Sequence, residues 1–155
     1  RRTRGRRADR GPVVIIPDVN LLVYAVFDGY PLHAPARDWL NDALSGTEEV
    51  GLTAPALFGF VRLGTSSRVH ERPLSVPEAS GYVHEWLDRP QVRFLAPGPE
   101  HVRLTLSLLE RLGTGANLTT DAQLAAYAIE FGGTIHSNDS DFGRFAGIRW
   151  VNPLA

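Results

Sequence analysis

Val13-Val14-Ile15-Ile16-Pro17-Asp18-Val19-Asn20-Leu21-Leu22-Val23 is the stretch on which the fold turns. Its first four residues form an unbroken β-branched run, which suits a strand buried on both faces, as central strands of parallel sheets are. Pro17 and Asp18 end that run. Asp18-Val19-Asn20 then opens a helix extending from Leu21 to Phe27, since Asp is a preferred residue at a helix start. A buried strand followed at once by a carboxylate and a helix is the first half of a βαβ unit, and ligands in such sheets sit beyond the carboxyl ends of the strands.

The alternation continues outward. Helices are expected over Pro35–Leu44, Ala54–Arg68, Val76–Leu87, Glu100–Leu112 and Asp121–Phe131, and strands at Gly51–Thr53, Val92–Leu95, Thr134–Ser137 and Ile148–Val151. Short strands alternating with helical periods indicate an open α/β sheet. In Glu100–Leu112 the apolar face is Val102, Leu104, Leu106, Leu108 and Leu109, and Gly113 ends it. Gly132-Gly133 closes the Ala-rich helix after Asp121, glycine being the usual residue just past a helix end.

With 155 residues, 43% of them hydrophobic, residues 13–155 are expected to form a single domain. Residues 1–12 carry six of the sixteen basic residues and read as a disordered Arg-rich arm or an extension foreign to the domain, the chain having no Met. The remainder holds ten Arg against sixteen Asp and Glu, so the body is acidic. That balance suits a protein that collects cations better than one that grips nucleic acid by charge alone. Absence of Cys excludes thiolate zinc sites, disulfides and cysteine nucleophiles. Absence of Lys excludes P-loop phosphate binding and the Asp-plus-Lys sites of receiver and haloacid-dehalogenase-like proteins. No apolar run approaches the roughly 20 residues of a membrane span, and a cytoplasmic location is expected.

Four carboxylates fall where such a sheet builds sites. Asp18 follows the first strand, Asp121 starts a helix, and Asp139 and Asp141 follow the strand ending at Ser137. If the two strands are parallel neighbours, Asp18 and Asp139 meet at one edge although 120 residues lie between them in sequence. Each acid also has a local explanation: Asp18 as a helix cap, Asp139 and Asp141 as turn residues around Ser140, and Asp121 in the first turn behind a Thr120/Gln123 capping box. Gathering all four on one edge is unfavourable without a partner, because like charges resist ionisation together. A divalent cation removes that penalty, and oxygen-only donors favour Mg²⁺ or Mn²⁺ over zinc.

Three segments carry a resemblance. Ile15-Ile16-Pro17-Asp18-Val19-Asn20-Leu21-Leu22-Val23-Tyr24-Ala25, Leu118-Thr119-Thr120-Asp121-Ala122-Gln123-Leu124-Ala125-Ala126-Tyr127-Ala128 and His136-Ser137-Asn138-Asp139-Ser140-Asp141-Phe142 resemble, in order and spacing, the signatures of PIN-domain ribonucleases, most closely the VapC-type toxins of bacterial toxin–antitoxin pairs. The likeness spans about Val14 to Leu154. It implies a three-layer α/β/α sandwich around a parallel sheet, and an acidic pocket holding Mg²⁺ that cleaves RNA endonucleolytically. It further implies a cognate antitoxin and a homodimer. Asp18 and Asp121 match the principal metal ligands, Asp139 and Asp141 complete the pocket, and Asn20 and Ser137 support it by hydrogen bonds. Asp139 or Asp121 would orient the attacking water or take its proton. One position departs: the family commonly has a Glu in the helix after the second strand, where Phe60 aligns, leaving open one metal ion or two.

Other residues invite chemical readings that the sequence does not favour. His33, His70, His84, His101 and His136 lack metal-ligand spacing. Gly113-Thr114-Gly115 has no following Lys and reads as a helix end. Trp39, Trp86 and Trp150 read as core or interface anchors. Arg62 and Arg68 share the predicted Ala54–Arg68 helix beside the pocket. The alternatives are a degenerate PIN domain that only binds, and a Mg²⁺-dependent phosphatase or DNA nuclease built on the same acids.

Overall fold

The computed structural model describes residues 13–155, so the Arg-rich segment 1–12 lies outside the described residues. Five short parallel strands form one sheet in the order β3-β2-β1-β4-β5. They are β1 (Ile15–Pro17), β2 (Val50–Leu52), β3 (Val92–Phe94), β4 (Thr134–His136) and β5 (Arg149–Val151). Six helices connect them: α1 (Val19–Val26), α2 (His33–Ser45), α3 (Ala54–Gly64), α4 (Val76–Leu87), α5 (His101–Leu112) and α6 (Leu118–Phe131), with a 3-10 turn at Ser140–Arg144. The expected three-layer α/β/α sandwich is the observed one. Among the described residues, no helix is long and apolar enough to cross a membrane.

The alternation of β1 side chains separates the two halves of the core. Ile15 packs with Leu22, Leu40, Val50, Leu57, Phe60 and Trp86, in the layer of α1 to α4. Val14 and Ile16 face the other way, onto Leu108, Leu124, Ala125, Ile135 and Phe142, in the layer of α5, α6 and the 3-10 turn. Period-2 alternation with both faces covered explains why this strand needs apolar residues throughout. The pairing of β4 with β1 is close at its start: a Cβ on Gly133 would lie 2.6 Å from Ile16 Cδ1 and 2.9 Å from the Val14 carbonyl.

Two helix boundaries differ from expectation by three residues or more. Helix α3 stops at Gly64 rather than Arg68, with Thr65 Oγ1 donating back to the Val61 carbonyl at 2.7 Å and a turn following through residues 66–70. Arg62 and Arg68 therefore do not share a helix. Helix α6 begins three residues early, at Leu118 rather than Asp121. Thr120 is thus inside it and forms no capping box with Gln123, while Asn117 at the start makes no side-chain cap. Burial of Leu118 against the rest of the core extends the helix backwards past the local signal.

Candidate metal centre

Strands β1 and β4 pair in parallel register, Ile15 with Thr134, Ile16 with Ile135 and Pro17 with His136. The pairing continues one step further, because the Asp18 amide donates to the His136 carbonyl at 2.9 Å. Asp18 and Ser137 consequently emerge side by side at the carboxyl edge of the sheet. Ser137 is fixed from its other side: its amide donates to the Val151 carbonyl at 3.1 Å, and Trp150 Nε1 donates to the Ser137 carbonyl at 3.0 Å.

The Ser137 hydroxyl organises the loop. It donates to Asp18 Oδ2 at 2.7 Å and accepts from the Asp139 amide at 2.9 Å and from Asn20 Nδ2 at 3.5 Å. Asp139 Oδ1 in turn accepts from the Asp141 amide at 2.9 Å, which sets the 3-10 turn. Asp18 is 4% exposed and caps α1, its Oδ1 accepting from the Val19 amide at 2.7 Å. The helix-cap reading of Asp18 and the turn reading of Asp139 both hold at the local level. They do not exhaust these groups, since a carboxylate offers about four lone-pair directions and Asp139 Oδ2 has no donor among the described residues.

Asp121, Asp139 and Asp141 each present an atom within 4.8 Å of the others. Asp18 is not one of this trio; each of its oxygens accepts one hydrogen bond, from the Val19 amide and the Ser137 hydroxyl, and keeps a further lone pair. The charges nevertheless act on one another. Asp121 is pushed up to about 7, by burial first and then by the charges of Asp18, Asp139 and Asp141. Burial also raises Asp18, against the opposing hydrogen bonds from Ser137 and Val19, with the Asp139 charge adding to the rise. Among the described residues, the cation nearest the trio is Arg144, whose Nη1 is 4.0 Å from Asp141 Oδ1, both side chains being about half exposed. Such a pair is too solvated to neutralise three acids. Oxygen donors at this spacing, short of positive charge, fit a hard divalent cation such as Mg²⁺ or Mn²⁺. The buried Oδ1 of Asn20, which has no partner, borders the same network.

Residues 15–148 match the sequence model of the PIN domain. The chain belongs to the PIN-domain family. Ribonuclease VapC33 of Mycobacterium tuberculosis is 52% identical over 91% of this chain and 99% of its own length. Ribonuclease VapC37 of the same organism is 44% identical over 90% and 97%. These similarities make it a PIN domain of the VapC type. Its fold is also that of solved VapC proteins. The Mycobacterium tuberculosis VapC20 structure superposes with a TM-score of 0.64 at 18% identity, covering 87% of this chain and 98% of that one. VapBC2 from Rickettsia felis gives 0.65 at 15%, covering 90% and 98%.

Within this PIN domain, Phe60 is fully buried, its ring centroid 4.8 Å from Trp86 and 6.2 Å from Tyr82. A side chain at position 60 is therefore committed to the core between α3 and α4. Gly59 is the α3 residue that meets Val19 at the head of α1, where an added Cβ would lie 3.0 Å from Val19 Cγ2. Of the tryptophans, Trp86 is a core anchor as expected, and Trp39 stacks on His136 with centroids 5.5 Å apart. Trp150 does more than anchor, because its indole holds Ser137. Its place in a β5 strand gave no sign of this; only the β4–β5 pairing reveals it.

Proposed function

We propose that the chain is a divalent-metal-dependent endoribonuclease that serves as the toxin of a toxin–antitoxin pair. The trio Asp121, Asp139 and Asp141, backed by buried Asp18 and lacking a compensating charge, is the observation that carries this reading. The relatives named as ribonucleases support it, and so does VapC20 of Mycobacterium tuberculosis, a toxin that cleaves the sarcin–ricin loop. Asp121, Asp139 and Asp141 would hold the cation, with Asp18 adding negative charge to the same site. A bound Mg²⁺ or Mn²⁺ supplies neutralisation of the acids and Lewis-acid polarisation of a phosphodiester. Ser137 orients Asp18 and the Asp139 backbone together. Asp139 is held at Oδ1 by the Asp141 amide and presents Oδ2 to accept a proton from an attacking water. A cognate antitoxin and a homodimer are part of the proposal. Solved VapBC assemblies with this fold from Haemophilus influenzae and Salmonella typhimurium favour the antitoxin.

The test is cleavage of mixed cellular RNA by the parent and by Asp121→Asn, each with Mg²⁺ and with EDTA. Only the parent with Mg²⁺ is expected to cut. Robust hydrolysis of a phosphomonoester or of DNA with RNA intact would refute the assignment. A second reading, a binding-only PIN domain, is favoured by the core position of Phe60, which leaves α3 without an acid there. Partner binding without cleavage and without Mg²⁺-dependent thermal stabilisation would select it.

A further inference from the structure

Beside the carboxylates runs a cleft of about 550 Å³, a size typical of sites for small ligands or parts of larger ones. One wall is a face of α3 that includes Pro55, Phe58 and Arg62. The opposite wall is a face of α6, Thr120, Gln123 and Tyr127. Spacings of three, four and seven place each set on a single helical face. Val19 follows Asp18 and Thr120 precedes Asp121 in the chain, so the cleft runs alongside the acidic edge of the sheet, although none of the four carboxylates lines it. The wall of α5 is held by His101, whose Nδ1 is 2.7 Å from Glu130 Oε2 on α6.

We propose that this cleft seats an unpaired nucleotide of single-stranded RNA next to the phosphate to be cleaved, with its base stacked on Phe58 and its phosphate held by Arg62. The proposal rests on the ribonuclease reading. Phe58 is 71% exposed, an aromatic face turned to solvent on a helix whose neighbouring Leu57 and Phe60 are buried. Exposed rings of this kind stack on bases of any sequence, provided the bases are not already stacked in a duplex. Arg37, Arg89, Arg93 and Arg144 all have a carboxylate within 4.0 Å. Arg62 has none among the described residues, a state it shares with Arg68, Arg72, Arg103, Arg111 and Arg149, but it is the arginine that lines this cleft. Gln123 and Thr120 add neutral donors and acceptors suited to a base edge or a ribose. Phe58 also lines a neighbouring apolar hollow with Leu57, Val61, Val83, Leu87 and Phe94; the cleft differs in setting that ring beside Arg62, Thr120 and Gln123, a mixed lining that suits a nucleotide better than an apolar protein segment.

The test uses fluorescence anisotropy in EDTA with a labelled single-stranded RNA of about ten nucleotides, within the span such grooves cover. The uncut complex is measured with the parent and with Phe58→Ala, Phe58→Trp, Arg62→Gln and Arg72→Gln. Phe58→Ala is expected to weaken binding by about tenfold, within the range stacking contributes, and Phe58→Trp to retain it. Arg62→Gln is expected to reduce the slope of log affinity against log salt by about 0.7. Arg72, which lies with Asp28 beyond the far end of α3, serves as the control and is expected to leave binding unchanged. No RNA binding by the parent at low salt, or equal affinity in all variants, overturns the proposal. Loss of partner-protein binding in Phe58→Ala with RNA affinity intact also overturns it, by making the cleft a protein surface. A parallel cleavage assay on the parent separates the two levels: Phe58- and Arg62-dependent binding without cleavage keeps the cleft and removes the ribonuclease, while cleavage with unaffected variants does the reverse.

Discussion

Replacing Asp121 by Asn tests whether the acidic trio is built for a cation rather than for the fold. Asp121 is held at about 7 against an ordinary value of 3.8, a difference of about three pH units. At about 1.4 kcal/mol per unit, full burial would make ionisation cost about 4 kcal/mol. The side chain is only partly buried, and solvent screening roughly halves this to about 2 kcal/mol. The sign follows from the raised value. Below pH 4 the group is protonated in folded and unfolded chains alike and contributes nothing. Between about 4 and 7 the unfolded chain ionises first, so the folded state loses stability, and above 7 the loss is complete. Asp121→Asn, close in shape and uncharged, should therefore melt with the parent at pH 4 in EDTA. At pH 8 it should melt about 4–8 °C higher, at roughly 2–4 °C per kcal/mol for a chain of this size. Mg²⁺ should raise the parent, by about 2.7 kcal/mol at a hundredfold excess over its Kd, and move the variant little. Differential scanning fluorimetry across pH, with and without Mg²⁺, reads all of this. A variant no more stable than the parent at pH 8, or a gain independent of pH, would refute the reasoning.

Asp18→Ala should behave oppositely in the metal-free protein, because it removes the cap on the Val19 amide and the acceptor of the Ser137 hydroxyl. A net loss of about 1 kcal/mol is expected from the cap alone, measurable as a lower urea midpoint than that of Asp121→Asn. His136 is lowered to about 4 by burial, so its contribution is intact above pH 6.5 and is lost as pH falls towards 4. Its Nδ1 is buried without a partner. Replacement by Phe should flatten the acid limb of the stability profile, and an unchanged limb would count against this. Phe60→Glu should not create a fourth ligand; burying an unpaired carboxylate among Trp86 and Tyr82 should instead unfold the protein. A soluble, folded Phe60→Glu protein with tighter Mg²⁺ binding would show that this part of α3 faces the metal centre.

The sheet and its carboxyl edge were legible in the sequence because their causes are local and periodic. Val14, Ile15 and Ile16 require cover on both faces, Asp18 must follow the strand, and glycines 113 and 132, with φ of 71° and 64°, end α5 and α6 in the left-handed conformation they favour. The hydrogen bonding that distinguishes the acids was not legible. All four look alike as letters, and what separates Asp18 from the other three is a pair of donors. One is its own α1 amide, and the other is Ser137, which is 119 residues away in sequence. The start of α6 was missed for a related reason: Thr120 and Gln123 form a proper cap pattern, yet burial of Leu118 and the packing of α5 against α6 outweigh roughly 1 kcal/mol of capping. Position 60 shows the same competition at the site itself. Alignment puts Phe60 where an acid is common, but the helix rotation that brings Gly59 against Val19 turns residue 60 to the core. The same rotation carries Phe58 and Arg62 to the cleft. The residues of α3 that line the cleft are thus selected by a close approach at a glycine, which no single-residue signal in the sequence encodes.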